Sequence, residues 1–83
     1  MKLKKNIAVS ETGFLFDPNS GESYSLNKTG QLIVKMISEG KTEDEIKKKI
    51  LKEYDVESEA LQRYFDEFIM MLRQMDLLEK EED

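Results

Sequence analysis

The stretch "GESYSLNKTG", residues 21–30, contains the point at which the predicted structure changes from strand to helix. Ser23 and Ser25 alternate with Tyr24 and Leu26, which is the pattern of a half-buried strand whose serines face outward. An asparagine follows at once, and asparagine is a favourable N-cap of a helix. The stretch therefore predicts a strand that runs directly into a helix, with one strand edge left to find a partner.

Two further strands precede this one. Ile7 and Val9 alternate within residues 6–10, and Phe14 and Phe16 share one face of the next strand. Short turn-forming segments, "ETG" and "DPNSG", follow these two strands. Consecutive strands with such short links pair as a meander, so we expect a three-stranded antiparallel sheet.

Helices occupy the rest of the chain. The first spans residues 28–39, where apolar residues recur at helical spacing up to a terminating glycine. The second begins at the capping box of Thr42 and Glu45 and ends near Tyr54, and the third covers residues 57–77. A sheet followed by helices indicates an α+β fold with the helices packed on one face of the sheet.

The length of 83 residues allows one small domain, which we place at residues 1–78. Residues 79–83, "EKEED", form an acidic tail that we expect to be disordered. No apolar run approaches the roughly 20 residues of a membrane-spanning helix, and no apolar segment follows the N-terminal lysines. We therefore expect a cytoplasmic protein with no membrane partner.

The composition also argues against catalysis. The chain has no histidine and no cysteine, so the usual imidazole base, thiolate nucleophile and soft metal ligands are absent. Acidic residues on the third helix point in different directions, as solvated charges do. We predict no catalytic residue, no metal and no cofactor, and hence no enzyme.

The third helix has a wide apolar face. On a helical wheel this face covers about 180°, more than the roughly 100° that a surface helix needs for contact with its own core. It contains Ala60, Leu61, Tyr64, Phe65, Phe68, Ile69, Met71, Leu72 and Met75. Two interpretations stay open: part of the face is spare apolar surface, or the helix packs on two sides and uses all of it.

The two outer strands differ in how their edges are protected. Lys2, Lys4 and Lys5 precede the first strand, and lysine near an exposed edge discourages another strand from pairing with it. The third strand, "ESYSL", carries no lysine or proline, so an extended peptide can pair with its backbone. A short edge that is tolerated without any partner is the alternative.

Several motifs occur in a fixed order along the chain. The pattern Y-x-L-N-x-T-G-x-x-I, from Tyr24 to Ile33, is followed by "EGKTEDEI", "KEYDVESE" and a final F-x-x-x-L-x-x-M-x-L-L. This order resembles the PqqD family, small proteins of pyrroloquinoline quinone biosynthesis and related pathways that are also called precursor-peptide recognition elements. The resemblance extends from about Ile7 to Leu78.

The resemblance implies a winged-helix-like domain and a non-catalytic adaptor. Such an adaptor binds the leader of a ribosomally synthesised precursor peptide as an added strand and presents it to a modifying enzyme, of the radical S-adenosylmethionine type or another kind. The implied site joins the third strand to the third helix and consists of Glu22, Ser23, Tyr24, Ser25, Leu26, Leu61, Tyr64, Phe65, Phe68, Ile69 and Leu72. Which helix residues face the groove, and which peptide, enzyme and product belong to the chain, stays open.

Two other functions also stay open. A winged-helix domain can bind nucleic acid, and "KKKILK" places Lys47, Lys48, Lys49 and Lys52 on the second helix. Consecutive lysines spread around a helix, so we interpret them as a solvated shell and expect no nucleic-acid partner. The open strand edge also permits pairing with a second copy, which leaves monomer and dimer as alternatives.

Overall fold

The structure is a computed structural model, and it describes residues 1–11 and 14–79. Its strands are β1 (Ala8–Val9), β2 (Phe14–Asp17) and β3 (Glu22–Ser25), and its helices are α1 (Lys28–Ser38), α2 (Glu43–Glu53) and α3 (Ser58–Gln74). The order confirms the predicted α+β fold of three antiparallel strands followed by three helices. Of the tail expected to be disordered, residues 80–83 lie outside the described residues.

The sheet has the order β1-β2-β3, and both pairings are antiparallel. Leu15 lies opposite Val9 on one side and Tyr24 on the other, and these side chains form the inner face against the core. Phe14 and Phe16 share a face, as the alternation predicts. Because Leu15 takes the inner position, that face is the outer one, and the two side chains are 50% and 41% exposed.

The turn between β2 and β3 sets the register of the sheet. The buried carboxylate of Asp17 accepts the Asn19 N–H at 3.0 Å and the Ser20 hydroxyl at 3.2 Å. Gly21 has a φ of 75°, a left-handed conformation that glycine adopts without steric cost. The turn places Asp17 opposite Glu22, so it determines which β3 residues face inward.

Only Leu26 and Asn27 separate β3 from α1. The Asn27 side-chain oxygen accepts the Gly30 N–H at 2.8 Å and caps the helix as predicted. A β-carbon at Gly30 would lie 3.1 Å from Cε1 of Phe68, so the absence of a side chain there lets α1 and α3 approach closely. The position of α3 beside the strand-to-helix junction therefore depends on this glycine.

The predicted capping box opens α2. The Thr42 N–H donates to the Glu45 carboxylate at 2.9 Å, and this bond lowers the pKa of Glu45. Further along α2, Lys47 donates to Glu43 at 2.9 Å and also to Gln62 on α3. Its bond to Glu43 lowers the pKa of that carboxyl. Lys47 therefore joins two helices and does not belong to a solvated shell.

The N-terminal segment pairs with the last described residues, which the sequence did not predict. The Lys4 N–H donates to the Leu77 carbonyl at 3.0 Å, and the Glu79 N–H donates to the Lys2 carbonyl at 2.8 Å. Lys4 also forms a salt bridge of 2.7 Å with Asp76. The interpretation of Lys2 and Lys4 as guards of the β1 edge is therefore wrong, because their segment lies along the C-terminal one.

The core lies between the inner face of the sheet and the three helices. Its side chains with no exposed surface are Leu15, Ile33, Val34, Ile46, Phe65, Leu72 and Leu77. All three helices contribute to it, so the small sheet is covered as a sheet of this size requires. From the central strand β2, Leu15 is the residue whose side chain packs into this core.

Replacing Leu15 tests the assignment of the two faces. Leu15→Ala removes a side chain that is 0% exposed, so it should lower the free energy of unfolding by about 2–5 kcal/mol. Phe16→Ala removes a larger side chain from the outer face and should cost less than about 1 kcal/mol, the size of a cross-strand contact. Urea unfolding of both variants measures the difference, and equal losses would contradict the assignment.

Candidate functional site

The backbone groups of β2 point alternately to its two neighbours. The Ser10 N–H donates to the Phe14 carbonyl at 2.9 Å, and the Phe14 N–H donates to the Ser10 hydroxyl at 2.9 Å, so the groups of Phe14 face β1. Because direction alternates along a strand, the backbone groups of Leu15 face β3. They meet Tyr24, its partner in the register. The backbone N–H and C=O of Tyr24 are therefore paired with β2 and are not open to a further strand.

By the same alternation, the N–H and C=O groups of Ser23 and Ser25 point away from β2. The sheet ends at β3 within residues 1–11 and 14–79, so no described strand covers them. Both serine side chains are exposed. Two donors and two acceptors therefore lie in a row along one edge, in the arrangement that an added strand requires.

Two residues on the inner side of β3 bind each other. The Tyr24 hydroxyl donates to the Glu22 carboxylate, and this hydrogen bond raises the pKa of Tyr24. Tyr24 is half-buried and packs against the core together with Leu26. The predicted strand residues thus have different roles: Ser23 and Ser25 offer backbone groups to the edge, Tyr24 and Leu26 anchor the strand, and the exposed Glu22 accepts the Tyr24 hydroxyl.

Most of the wide apolar face of α3 is used by the core. Leu61, Phe65 and Leu72 are 3%, 0% and 0% exposed, so they support the site from behind and offer it no surface. Ile69 is also buried and lines a depression beside Met1, at the edge of the apolar face farthest from Tyr64. The structure therefore does not place these four predicted candidates in an open groove. For them, the second interpretation is correct: the helix uses this part of its apolar face for packing.

Tyr64 and Phe68 form the other edge of this face. The Tyr64 hydroxyl donates to the Asn27 side-chain oxygen at 3.3 Å. The two rings have centroids 6.1 Å apart. Phe68 is buried, at 8% exposed, and contacts the first turn of α1 at Gly30, so Tyr64 is the more accessible of the two rings. Both aromatic side chains therefore lie beside the junction where β3 becomes α1.

Two methionines extend this edge along the helix. Met71 is 36% exposed and Met75 is half-buried, and both follow Tyr64 and Phe68 at helical spacing. We call these four residues, Tyr64, Phe68, Met71 and Met75, the apolar stripe. Sequence reasoning placed the methionines on the apolar face but not in the site. Their positions next to Tyr64 on the helical wheel were the signal that could have included them.

A second exposed apolar surface lies on the outer face of the sheet. Phe14 and Phe16 of β2 lie opposite Ser25 and Ser23 of β3, so only small side chains separate the aromatic rings from the open edge. We call Phe14 and Phe16 the outer aromatic patch. An added strand would have one set of side chains on each face of the sheet, with the outer set near this patch.

The site is suited to binding through backbone groups and apolar contact. Among residues 1–11 and 14–79, no group of histidine, cysteine or acidic side chains is arranged to hold a metal ion. No helix in the described part of the chain has the length and apolar character needed to cross a membrane.

The fold and site define a class of protein: a small winged-helix-like domain whose sheet has an open edge, with a partly exposed apolar stripe of α3 at the junction of β3 and α1. The chain belongs to the PqqD family, described as coenzyme PQQ synthesis protein D, whose profile matches residues 12–78. A search of curated proteins found no match.

Two solved structures are similar to the whole domain. TbiB1 in complex with the TbiA(β) leader peptide has a TM-score of 0.90 and 27% sequence identity, with 100% of both chains covered. Lasso peptide synthetase B1 complexed with the leader peptide has a TM-score of 0.82 and 27% identity, with 95% of this chain and 96% of that chain covered. Both are structures of leader-peptide complexes.

Amide hydrogen exchange tests the direction of the backbone groups. In the free protein, the Tyr24 amide should exchange slowly because it bonds to β2, and the Ser23 and Ser25 amides should exchange fast because they face solvent. Residue-resolved exchange by NMR measures all three in one experiment. Protection of both serine amides in a monomer would contradict an open edge.

Proposed function

We propose that this chain is an adaptor that binds the leader of a ribosomally synthesised precursor peptide and presents it to a modifying enzyme. The leader adds to the sheet as a fourth strand beside β3, and Ser23 and Ser25 supply the backbone groups that it pairs with. The open row of donors and acceptors next to the apolar stripe is the observation that carries the proposal. The similarity to two leader-peptide complexes supports it.

The free energies of hydrogen bonding and association explain why the strand edge alone cannot bind a leader tightly and needs the apolar stripe. Four backbone hydrogen bonds contribute about 2–6 kcal/mol in all, at about 0.5–1.5 kcal/mol each. Association costs about 4–15 kcal/mol in lost translational and rotational freedom, and ordering a flexible leader adds to that cost. Hydrogen bonds alone therefore give at best weak binding. Burial of leader side chains on the apolar stripe supplies the remainder and selects the sequence.

Strand geometry sets the form of the leader motif. Side chains at alternate positions of the added strand point toward the apolar stripe, so these positions should be apolar or aromatic. The intervening side chains lie on the outer face beside Ser23 and Ser25. Large apolar residues there can reach the outer aromatic patch across the two small serines.

The chemistry on the precursor belongs to a separate enzyme in this proposal. The chain has no histidine or cysteine, and the site offers only backbone groups and apolar side chains. The enzyme is of the radical S-adenosylmethionine type or another kind, and pyrroloquinoline quinone is one of several products that fit. A cytoplasmic location is part of the proposal, since ribosomal precursors are made there.

A self-associating module uses the same edge, because β3 can pair with β3 of a second copy across a twofold axis. Molecular mass in dilute solution separates the two functions. The adaptor is monomeric at low concentration or becomes so when leader peptide is added, whereas a structural dimer keeps its mass in both conditions.

Proline at the edge tests strand addition. Ser23→Pro removes an outward N–H without removing a bond to β2, so the sheet should persist while affinity for the leader falls about tenfold or more. Ser23→Thr keeps the N–H and is the matched control. Fluorescence anisotropy with a labelled leader peptide, taken from a candidate precursor gene near the gene for this chain, measures both. Unchanged affinity of a folded Ser23→Pro variant would reject pairing at β3.

Tyr64→Ala tests the apolar stripe. The change removes a half-buried ring beside the β3 junction and should weaken leader binding by about tenfold, equal to 1.4 kcal/mol. The neighbouring exposed Arg63, replaced by alanine, serves as the control for a general effect on α3. If both variants bind the leader as the unaltered chain does, the stripe is not part of the peptide site.

A further inference from the structure

A groove between α1 and α2 gathers most of the lysines that the sequence analysis interpreted as a solvated shell. Its floor is apolar and includes Leu32 and Met36 of α1. Its rim carries lysines from three places in the chain: Lys35 on α1, Lys41 in the connection, and Lys48, Lys49 and Lys52 on α2. The groove has a volume of about 530 Å³, enough for several side chains of a bound segment.

The positive charge of this groove is only partly neutralised. Lys49 forms a salt bridge of 3.0 Å with Glu53, and Glu45 is held by the Thr42 capping box. Lys41 and Lys48 lie close enough to Glu45 to contribute to its lowered pKa, whereas Lys35 and Lys52 form no ion pair within the described part of the chain. Five lysines thus face two glutamates in a chain whose net charge is −5.

The three consecutive lysines of α2, residues 47–49, have two different roles. Lys47 turns toward α3 and bonds to Glu43 and Gln62, whereas Lys48 and Lys49 line the groove. The basic rim therefore arises from tertiary packing.

A second depression continues the groove toward the sheet. It shares Leu32, Lys35 and Glu39 with the first and extends to Leu26, the residue that follows β3. This second depression carries two lysines, Lys28 and Lys35, against two glutamates, Glu11 and Glu39, so the excess of positive charge is confined to the first groove. The two depressions together run from α2 to Leu26, at the end of β3.

We propose that the groove between α1 and α2 binds an acidic amphipathic helix of the enzyme that modifies the precursor. The proposal rests on the adaptor function. The apolar floor accepts the apolar side of such a helix, and the lysine rim pairs with its carboxylates and increases the association rate. Nucleic acid fits less well, because its phosphate backbone has no apolar side to place on the floor formed by Leu32 and Met36.

A synthetic helical peptide of glutamate and leucine, labelled for fluorescence anisotropy, is the first probe. The unaltered chain should bind it saturably and more weakly as salt is added. Lys35→Glu combined with Lys48→Glu should weaken binding by about tenfold or more, whereas Lys2→Glu with Lys5→Glu, an equal change of charge outside the groove, should change it less than about twofold. Equal binding by both double variants would overturn the proposal.

Two further probes identify the class of ligand. A lysine and leucine peptide and a short duplex DNA should both bind more weakly than the acidic peptide. Tighter binding of the DNA, lost in the Lys35→Glu, Lys48→Glu variant, would assign the groove to nucleic acid and overturn the proposal.

The same variants separate this proposal from the adaptor function. Titration with leader peptide should give the same affinity for all of them, while titration with the modifying enzyme should show a loss of about tenfold for the groove variant alone. If the unaltered chain binds the leader but all variants bind the enzyme equally, the groove is not the enzyme-binding site. The adaptor function would still stand in that case. Absence of leader binding by the unaltered chain would reject the adaptor function itself.

Discussion

The structure depends on a very short connection: only Leu26 and Asn27 lie between the end of β3 and the start of α1. The Asn27 side chain caps α1 through Gly30, and it also accepts the Tyr64 hydroxyl. One residue thus joins the last strand, the first helix and the last helix. Because α1 leaves at the end of β3 and α3 packs at its first turn, no described part of the chain crosses the outer edge of β3. The open edge is therefore a consequence of how the helices are connected.

Local chemistry made much of the fold predictable. Alternation in "ESYSL", the Asn27 cap and the capping box of Thr42 and Glu45 each specify an element from a few neighbouring residues, and the structure contains all of them. Pairing of the first residues with residues 77–79 was not predicted, because the two segments are far apart in sequence and no short turn joins one directly to the other. Lys2 and Lys4 were misinterpreted for the same reason.

The site was predictable in outline but not in detail. A helical wheel shows that α3 has a wide apolar face, yet it does not show which edge of that face lies beside β3. The close contact of Phe68 with Gly30 decides it, and that contact is tertiary. Phe65, Phe68 and Ile69 are equally apolar in sequence and all buried, but Phe68 packs at the first turn of α1, Phe65 in the centre of the core and Ile69 beside the N-terminal segment. The direction of the Ser23 and Ser25 backbone groups likewise requires the sheet register, which the turn at Asp17 determines.

If a leader peptide pairs with the outer edge of β3, contacts between the two molecules in solution will show it. Intermolecular nuclear Overhauser effects between an unlabelled leader and the isotope-labelled chain give the position of each peptide residue. Strand addition at β3 should give contacts from the Ser23 and Ser25 amides to the peptide backbone, and from Tyr64 and Phe68 to alternate peptide side chains. Contacts confined to another surface, with none at β3, would contradict it.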